Sequence, residues 1–125
     1  MKWVLAIALL FVTSVSFGQY NQNVSPAEEK KNIAVLVKKQ ALAKSAFAKQ
    51  PKDVKVRKAY VESNVALGLQ YTYAQTVDRK LKYKLALTYL REALKLEPNH
   101  KDAKPMYDQI VSIYKSMGRP VPGGG

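Results

Sequence analysis

The sequence predicts an all-α protein that consists of one small domain. Apolar residues recur at helical spacing in four segments, and Pro, Asp or Gly residues separate these segments from one another. No segment alternates strictly between apolar and polar residues, as a half-buried strand would. The 125 residues allow a single domain, and the absence of cysteine excludes both a disulfide framework and a Cys-ligated metal site. We therefore expect antiparallel helical hairpins around one core.

The first 18 residues have the pattern of a signal peptide. Lys2 precedes an apolar run, Trp3–Val12, whose ten residues are too few to cross a bilayer as a helix, which needs roughly twenty. Ser16-Phe17-Gly18 places small residues at the two positions that signal peptidase reads, which predicts cleavage after Gly18. The alternative is an uncleaved signal anchor that holds the protein in the membrane. We expect an exported protein, periplasmic or secreted, with residues 19–24 as a flexible segment before the domain.

The first predicted helix begins at the capping box Ser25-Pro26-Ala27-Glu28 and runs to about Gln50. Its apolar face carries Ile33, Leu36, Val37, Ala43 and Phe47. At about 100° per residue, the opposite face carries Lys31, Lys38 and Lys49. Leu42 lies on the lysine side, where it is either exposed or covered by a partner.

The second predicted helix spans about 54–75, with Asp53 as its N-cap. Its apolar residues cover more than one face, and no Lys or Arg occurs between Lys58 and Arg79. A helix that is apolar on two sides and has no cation after its first turns is expected to lie between neighbours. We therefore place this helix at the centre of the domain.

Two further helices complete the predicted domain, which spans residues 25–118. The third follows Asp78 and runs to about Leu96, and the turn Pro98-Asn99-His100 ends it. The fourth takes Asp102 as its cap and stops at Gly118. Residues 119–125 form a Pro/Gly tail that we expect to be disordered.

The second and third predicted helices carry Gly68, Ala86 and Ala93, and the spacing of these small residues resembles that of a tetratricopeptide repeat. Leu67-Gly68 with Tyr71 resembles the first-helix signature of that family, and Ala46 and Pro51 stand at the spacing of a preceding second helix. Both gaps around Gly68 are longer than the family consensus, so the helices are lengthened, and the fourth helix resembles a terminal capping helix. An unrelated four-helix bundle is the alternative. The second-helix pattern is carried by Ala86, Leu90, Ala93, Leu94, Leu96 and Pro98.

The resemblance implies a non-enzymatic scaffold or adaptor that binds another protein or peptide through the surface of its first helices. Such units need about three repeats to be stable alone, which leaves a homo-oligomer open. The alternative role for the residues of this surface is core packing. On the second helix the implied protein-binding surface consists of Glu62, Val65, Leu69, Thr72 and Tyr73.

The sequence lacks a pattern typical of an enzyme. His100 is the single histidine, and we interpret it as a solvated residue of the turn between helices. No Gly-rich phosphate loop and no metalloprotease or hydrolase motif occurs. We expect no catalytic activity, no metal site and no cofactor.

The charge of the chain, +12 in total, is concentrated in one region. Residues 30–58 contain ten Lys or Arg residues and one acid, Asp53, for a net charge of +9. Such a region can bind an anionic membrane surface or a polyanion, and a solvated face that serves only solubility is the alternative. The export signal and the small number of Arg residues disfavour nucleic acid. The predicted anion-binding residues are Lys31, Lys38 and Lys49.

Overall fold

The computed structural model describes residues 24–124, which form four helices and no strand. The helices are α1 (Pro26–Lys49), α2 (Val54–Thr72), α3 (Arg79–Leu96) and α4 (Ala103–Ser116). The all-α prediction is thus confirmed for this part of the chain. The predicted signal peptide and residues 19–23 lie outside the described residues.

The first three helices begin where their capping residues predict. The Oγ atom of Ser25 accepts a hydrogen bond of 3.1 Å from the backbone N–H of Glu28. Asp53 accepts bonds of 2.9 and 3.0 Å from two N–H groups in the first turn of α2. Asp78 accepts one of 3.2 Å from the first turn of α3. These bonds satisfy amides that have no partner within their helices.

Helix α2 lies at the centre of the domain, as the absence of Lys and Arg after Lys58 predicts. It packs against α1 on one side and against α3 on another, while α4 packs on α3 and also touches α2. The core is formed by residues of α2, α3 and α4, with α1 contributing partly buried side chains. Its buried apolar members are Val61, Val65, Leu67, Leu69, Tyr71, Ala86, Leu87, Leu90, Ala93, Ala103 and Ile110.

The α2–α3 contact is close because position 68 has no side chain. A Cβ atom on Gly68 would lie 2.8 Å from both Cγ and Cδ2 of Leu90, which is far inside van der Waals contact. Leu90 and the nearby Ala86 are fully buried. Glycine at this position therefore lets the two helices approach until Leu90 fills the space above the α2 backbone.

The α1–α2 contact combines an aromatic stack with a buried polar pair. The rings of Phe47 and Tyr60 stack with centroids 4.8 Å apart. Gln40 Nε2 donates a 3.2 Å hydrogen bond to Asn64 Oδ1, and both side chains are buried. The predicted apolar face is corrected in two places: Gln40 belongs to it, and the side chain of Val37 is exposed.

Glu29 ties the start of α1 to the loop between α2 and α3. Its buried carboxylate accepts hydrogen bonds from the backbone N–H groups of Gln75 (3.0 Å) and Thr76 (2.7 Å) and from Thr76 Oγ1 (2.6 Å). Burial alone would raise the pKa of Glu29, but these bonds and the nearby charge of Lys82 outweigh burial and lower this pKa from its ordinary 4.5. The folded state thus favours the charged carboxylate.

The Pro/Gly tail contacts α3 and α4 instead of leaving the domain. Val121 packs against the core, and the guanidinium of Arg91 donates a hydrogen bond to the carbonyl oxygen of Gly124. Arg91 also lies over the ring of Tyr107, 5.6 Å from its centroid. These contacts join residues 121 and 124 to the helices.

Glu29→Gln should lower the free energy of unfolding by about 1–3 kcal/mol at pH 7, because amide oxygens accept these hydrogen bonds less strongly than a carboxylate. Since the folded pKa lies below 4.5, the stabilisation by the carboxylate is fully present above that pH and is lost as the pH falls through the folded value. Urea unfolding of wild type and variant at pH 7 and at several pH values below 4.5 should show the difference shrinking.

Glu28→Gln is the matched control, because Glu28 is the neighbouring carboxylate and is exposed. Its effect should stay below about 1 kcal/mol, the range of a helix-dipole interaction. A Glu29→Gln variant that is as stable as wild type at pH 7 would show that the buried carboxylate does not hold the loop.

Candidate functional site

The structure buries two of the five residues of the predicted protein-binding surface of α2. Val65 and Leu69 are each 4% exposed and belong to the core, so they offer no docking surface in this fold. Thr72 is half-buried and donates a 2.8 Å hydrogen bond to the carbonyl oxygen of Gly68, and Tyr73 is 39% exposed. Core packing, the alternative role for these residues, is therefore correct for Val65 and Leu69.

Glu62, the remaining residue of that surface, belongs to a charged cluster with His100. Its Oε2 atom lies 2.8 Å from Nε2 of His100 and 3.4 Å from Nζ of Lys58. Lys58 Nζ also lies 3.3 Å from Oε1 of Glu97, at the end of α3. The pKa of Lys58 is raised, because its bonds to these two carboxylates outweigh the opposing effect of burial.

The structure corrects the prediction that His100 is solvated, since it is 6% exposed. Its Nδ1 atom accepts hydrogen bonds from the backbone N–H groups of Asp102 (3.2 Å) and Ala103 (3.3 Å). The Asp102 side chain makes no capping bond, so His100 caps α4 in place of the predicted residue. Because Nδ1 is an acceptor, the neutral ring carries its proton on Nε2 and donates it to Glu62.

Glu62, Glu97 and His100 bring three metal-ligating atoms within 4.8 Å of one another, which makes them a candidate metal site. Two features oppose metal binding. The Nε2 atom that faces the carboxylates carries a proton, and Nδ1 cannot take this proton while it accepts two backbone bonds. The ammonium group of Lys58 already lies within ion-pair distance of both carboxylates and would repel a cation there. The cluster is therefore better suited to joining α2, the end of α3 and the start of α4.

A cleft of about 290 Å³ lies between the end of α2, the start of α3 and α4. Thr72 and Tyr73 line it, so it contains two of the three residues of the predicted protein-binding surface that are not buried. The ammonium of Lys82 at its wall donates a 2.9 Å hydrogen bond to the carbonyl oxygen of Ala74. The other lining residues are Gln75, Tyr83, Met106, Gln109, Ile110 and Ile113.

The predicted anion-binding lysines are all exposed on α1. Their spacings place them within roughly 20° of one another around the helix axis, opposite the side that packs on α2. Val35 and Leu42 lie among them and are 48% and 64% exposed. α1 contains no acidic residue after Glu29. We call this surface the outer face of α1 and define it as Lys31, Val35, Lys38, Leu42 and Lys49.

The sequence did not predict that the polar residues Glu29, Gln40 and His100 are buried. The inward position of Gln40 was predictable from helical spacing, because it lies four residues after Leu36 and seven before Phe47, on the same helix face. The roles of Glu29 and of the His100–Glu62 pair could not be predicted, because Glu29 bonds to a loop more than 45 residues away and Glu62 lies 38 residues from His100. The capping bonds of His100 are local, at the same spacing as those of Asp53. Hydrophobic periodicity does not report such contacts.

No helix among residues 24–124 is both long enough and apolar enough to cross a membrane. Comparison with known proteins assigns no relationship: no protein-family model matches the chain, and neither a curated protein nor a solved structure matches it. The resemblance to tetratricopeptide repeats therefore stays a prediction from the residues that carry it.

His100→Ala should lower the free energy of unfolding by about 1–3 kcal/mol, because it removes the acceptor for two amides at the start of α4. Lys101→Ala, at the exposed neighbouring position, should change it by less than about 0.5 kcal/mol.

Thermal unfolding of wild type should be the same with added Zn²⁺ and with EDTA. A melting temperature that rises with Zn²⁺ in wild type and not in His100→Ala would assign the cluster to a metal.

Proposed function

We propose that this protein is an exported, non-enzymatic, tetratricopeptide-like scaffold that binds an anionic partner through the outer face of α1. One observation carries the proposal: Lys31, Lys38 and Lys49 are exposed on one side of α1, and no acidic residue of that helix follows Glu29. The buried positions of Val65 and Leu69 favour this surface over the face of α2.

The charge around this face supports an electrostatic mode of binding. α1 carries six lysines, and the two acids in its first turn include Glu29, whose carboxylate is buried and bonded to the α2–α3 loop. Lys52, Lys55 and Arg57 follow within the next turn and the start of α2, and all are exposed. A surface with one sign of charge raises the local concentration of an oppositely charged partner and speeds its association.

The packing of α2 on α3 supports the scaffold part of the proposal. Gly68 meets Leu90 directly, and Ala86 and Ala93 are fully buried, which is the role that the resemblance implies for small residues. Export rests on residues 1–18 alone.

A peptide or protein partner is the second candidate, because Thr72 and Tyr73 line the cleft beside α4. The walls of this cleft combine apolar side chains, such as Met106 and Ile113, with a single lysine. Binding there would depend little on salt and would not require the lysines of α1. The experiment below therefore distinguishes the two candidates.

The proposal predicts that the protein binds a polyanion in a salt-dependent way. This binding should be lost when the charge of the outer face of α1 is reversed. The wild-type protein should bind soluble polyphosphate at low ionic strength, and this binding should weaken steeply as salt is added, because exposed charges are screened. The triple reversal should weaken binding by about tenfold or more at low salt. Isothermal titration calorimetry measures both effects. The substitutions are Lys31→Glu, Lys38→Glu and Lys49→Glu.

The control has the same change in net charge on a different surface. Each triple variant also reverses one lysine in the last turn of a helix, Lys49 in α1 or Lys115 in α4, so the helix-dipole effects are matched. Equal weakening in both variants, or binding that is insensitive to salt, would contradict the proposal. The control substitutions are at exposed positions: Lys84→Glu, Lys101→Glu and Lys115→Glu.

A further inference from the structure

The outer face of α1 carries exposed aliphatic side chains that binding to a soluble anion would not use. Leu42 is 64% exposed and Val35 is 48% exposed, and they lie between lysines on the same side of the helix. A soluble polyanion requires only the ammonium groups. A partner that explains both kinds of residue is anionic at its surface and apolar just beneath it.

We propose that the outer face of α1 docks on an anionic lipid bilayer, with Leu42 and Val35 in the acyl boundary and Lys31, Lys38 and Lys49 at the lipid phosphates. The inference rests on the proposed function, because it names the anionic partner of the same face. Lysine suits this position, since its long aliphatic stem can lie along apolar surface while the ammonium reaches the headgroups.

The dimensions of the face fit a helix that lies in the plane of the bilayer. From Lys31 to Lys49 the helix is about 27 Å long at 1.5 Å per residue, so the lysines span several headgroups. The opposite side of α1 packs on α2, which keeps the rest of the domain above the membrane surface. Docking therefore requires no rearrangement of the fold.

Other occupants fit the face less well. A second copy would bring lysines of like charge together across the contact. Nucleic acid is disfavoured because α1 contains no arginine, and its one aromatic residue, Phe47, stacks on Tyr60. An acidic protein would satisfy the lysines, and the experiment treats it as a competing outcome.

The test measures binding of the full chain to vesicles of phosphatidylcholine with 30% phosphatidylglycerol and to vesicles of phosphatidylcholine alone. The anionic vesicles should bind the protein, and the triple Lys→Glu variant should bind them on the order of 100-fold more weakly, since each lysine near an anionic surface contributes about fivefold. Leu42→Gln should weaken binding by about tenfold. Met117→Gln, which changes a 53% exposed apolar side chain at the end of α4, should leave binding unchanged.

A single fluorescent label reports insertion of the face directly. The chain contains no cysteine, so Ser45→Cys, three residues after Leu42, and Ser112→Cys, on α4, each provide one labelling site at an exposed position. An environment-sensitive dye at position 45 should shift its emission to the blue on anionic vesicles, whereas the same dye at position 112 should not. This readout is independent of any binding by residues 1–18.

Three results would overturn the inference. Binding to polyphosphate or polyglutamate without binding to anionic vesicles would assign the face to a soluble acidic partner and leave the proposed function standing. Vesicle binding with the dye at position 45 still in water, or with Leu42→Gln equal to wild type, would show contact with headgroups only. Absence of salt-dependent binding to every anionic probe would overturn the inference and the proposed function together.

Discussion

The close approach of α2 and α3 at Gly68 is the contact on which the rest of the domain depends. Because Leu90 occupies the space that a Cβ atom at position 68 would need, the backbone of α2 packs directly against this side chain of α3. Leu90 belongs to the same cluster as the other buried apolar residues of the core. Another side of α2 packs against α1, and α4 packs on α3 and also touches α2. In this arrangement α1 is an outer helix, with one face on α2 and the opposite face exposed.

Polar contacts determine which face of α1 turns inward. Helix α1 contributes no fully buried apolar side chain to the core, and its two buried residues are Glu29 and Gln40. Each has specific partners, the amides of the α2–α3 loop for Glu29 and Asn64 for Gln40. A buried polar group without its partner is costly, so rotation of the helix is penalised more sharply than by apolar contacts alone. The lysines are held outward as a consequence.

The four helices, the caps of the first three and the exposed position of the lysines follow from residue spacing, because periodicity and capping are local properties of the chain. The protein-binding surface on α2 does not, because apolar periodicity shows that Val65 and Leu69 avoid water without showing what covers them. The same limit applies to the contact of His100 with Glu62 and to that of Arg91 with Gly124, because in each case the partner is more than 30 residues away in sequence.

The claim that the outer face of α1 is the binding surface is tested most directly by mapping a bound polyanion on the folded protein. NMR spectra of isotope-labelled protein titrated with polyphosphate would report each amide and methyl group separately. We expect the shifts to concentrate at the amides between residues 31 and 49, with the cleft unchanged. Shifts centred on Tyr73 and Tyr83, with α1 unchanged, would contradict this assignment and place binding in the cleft.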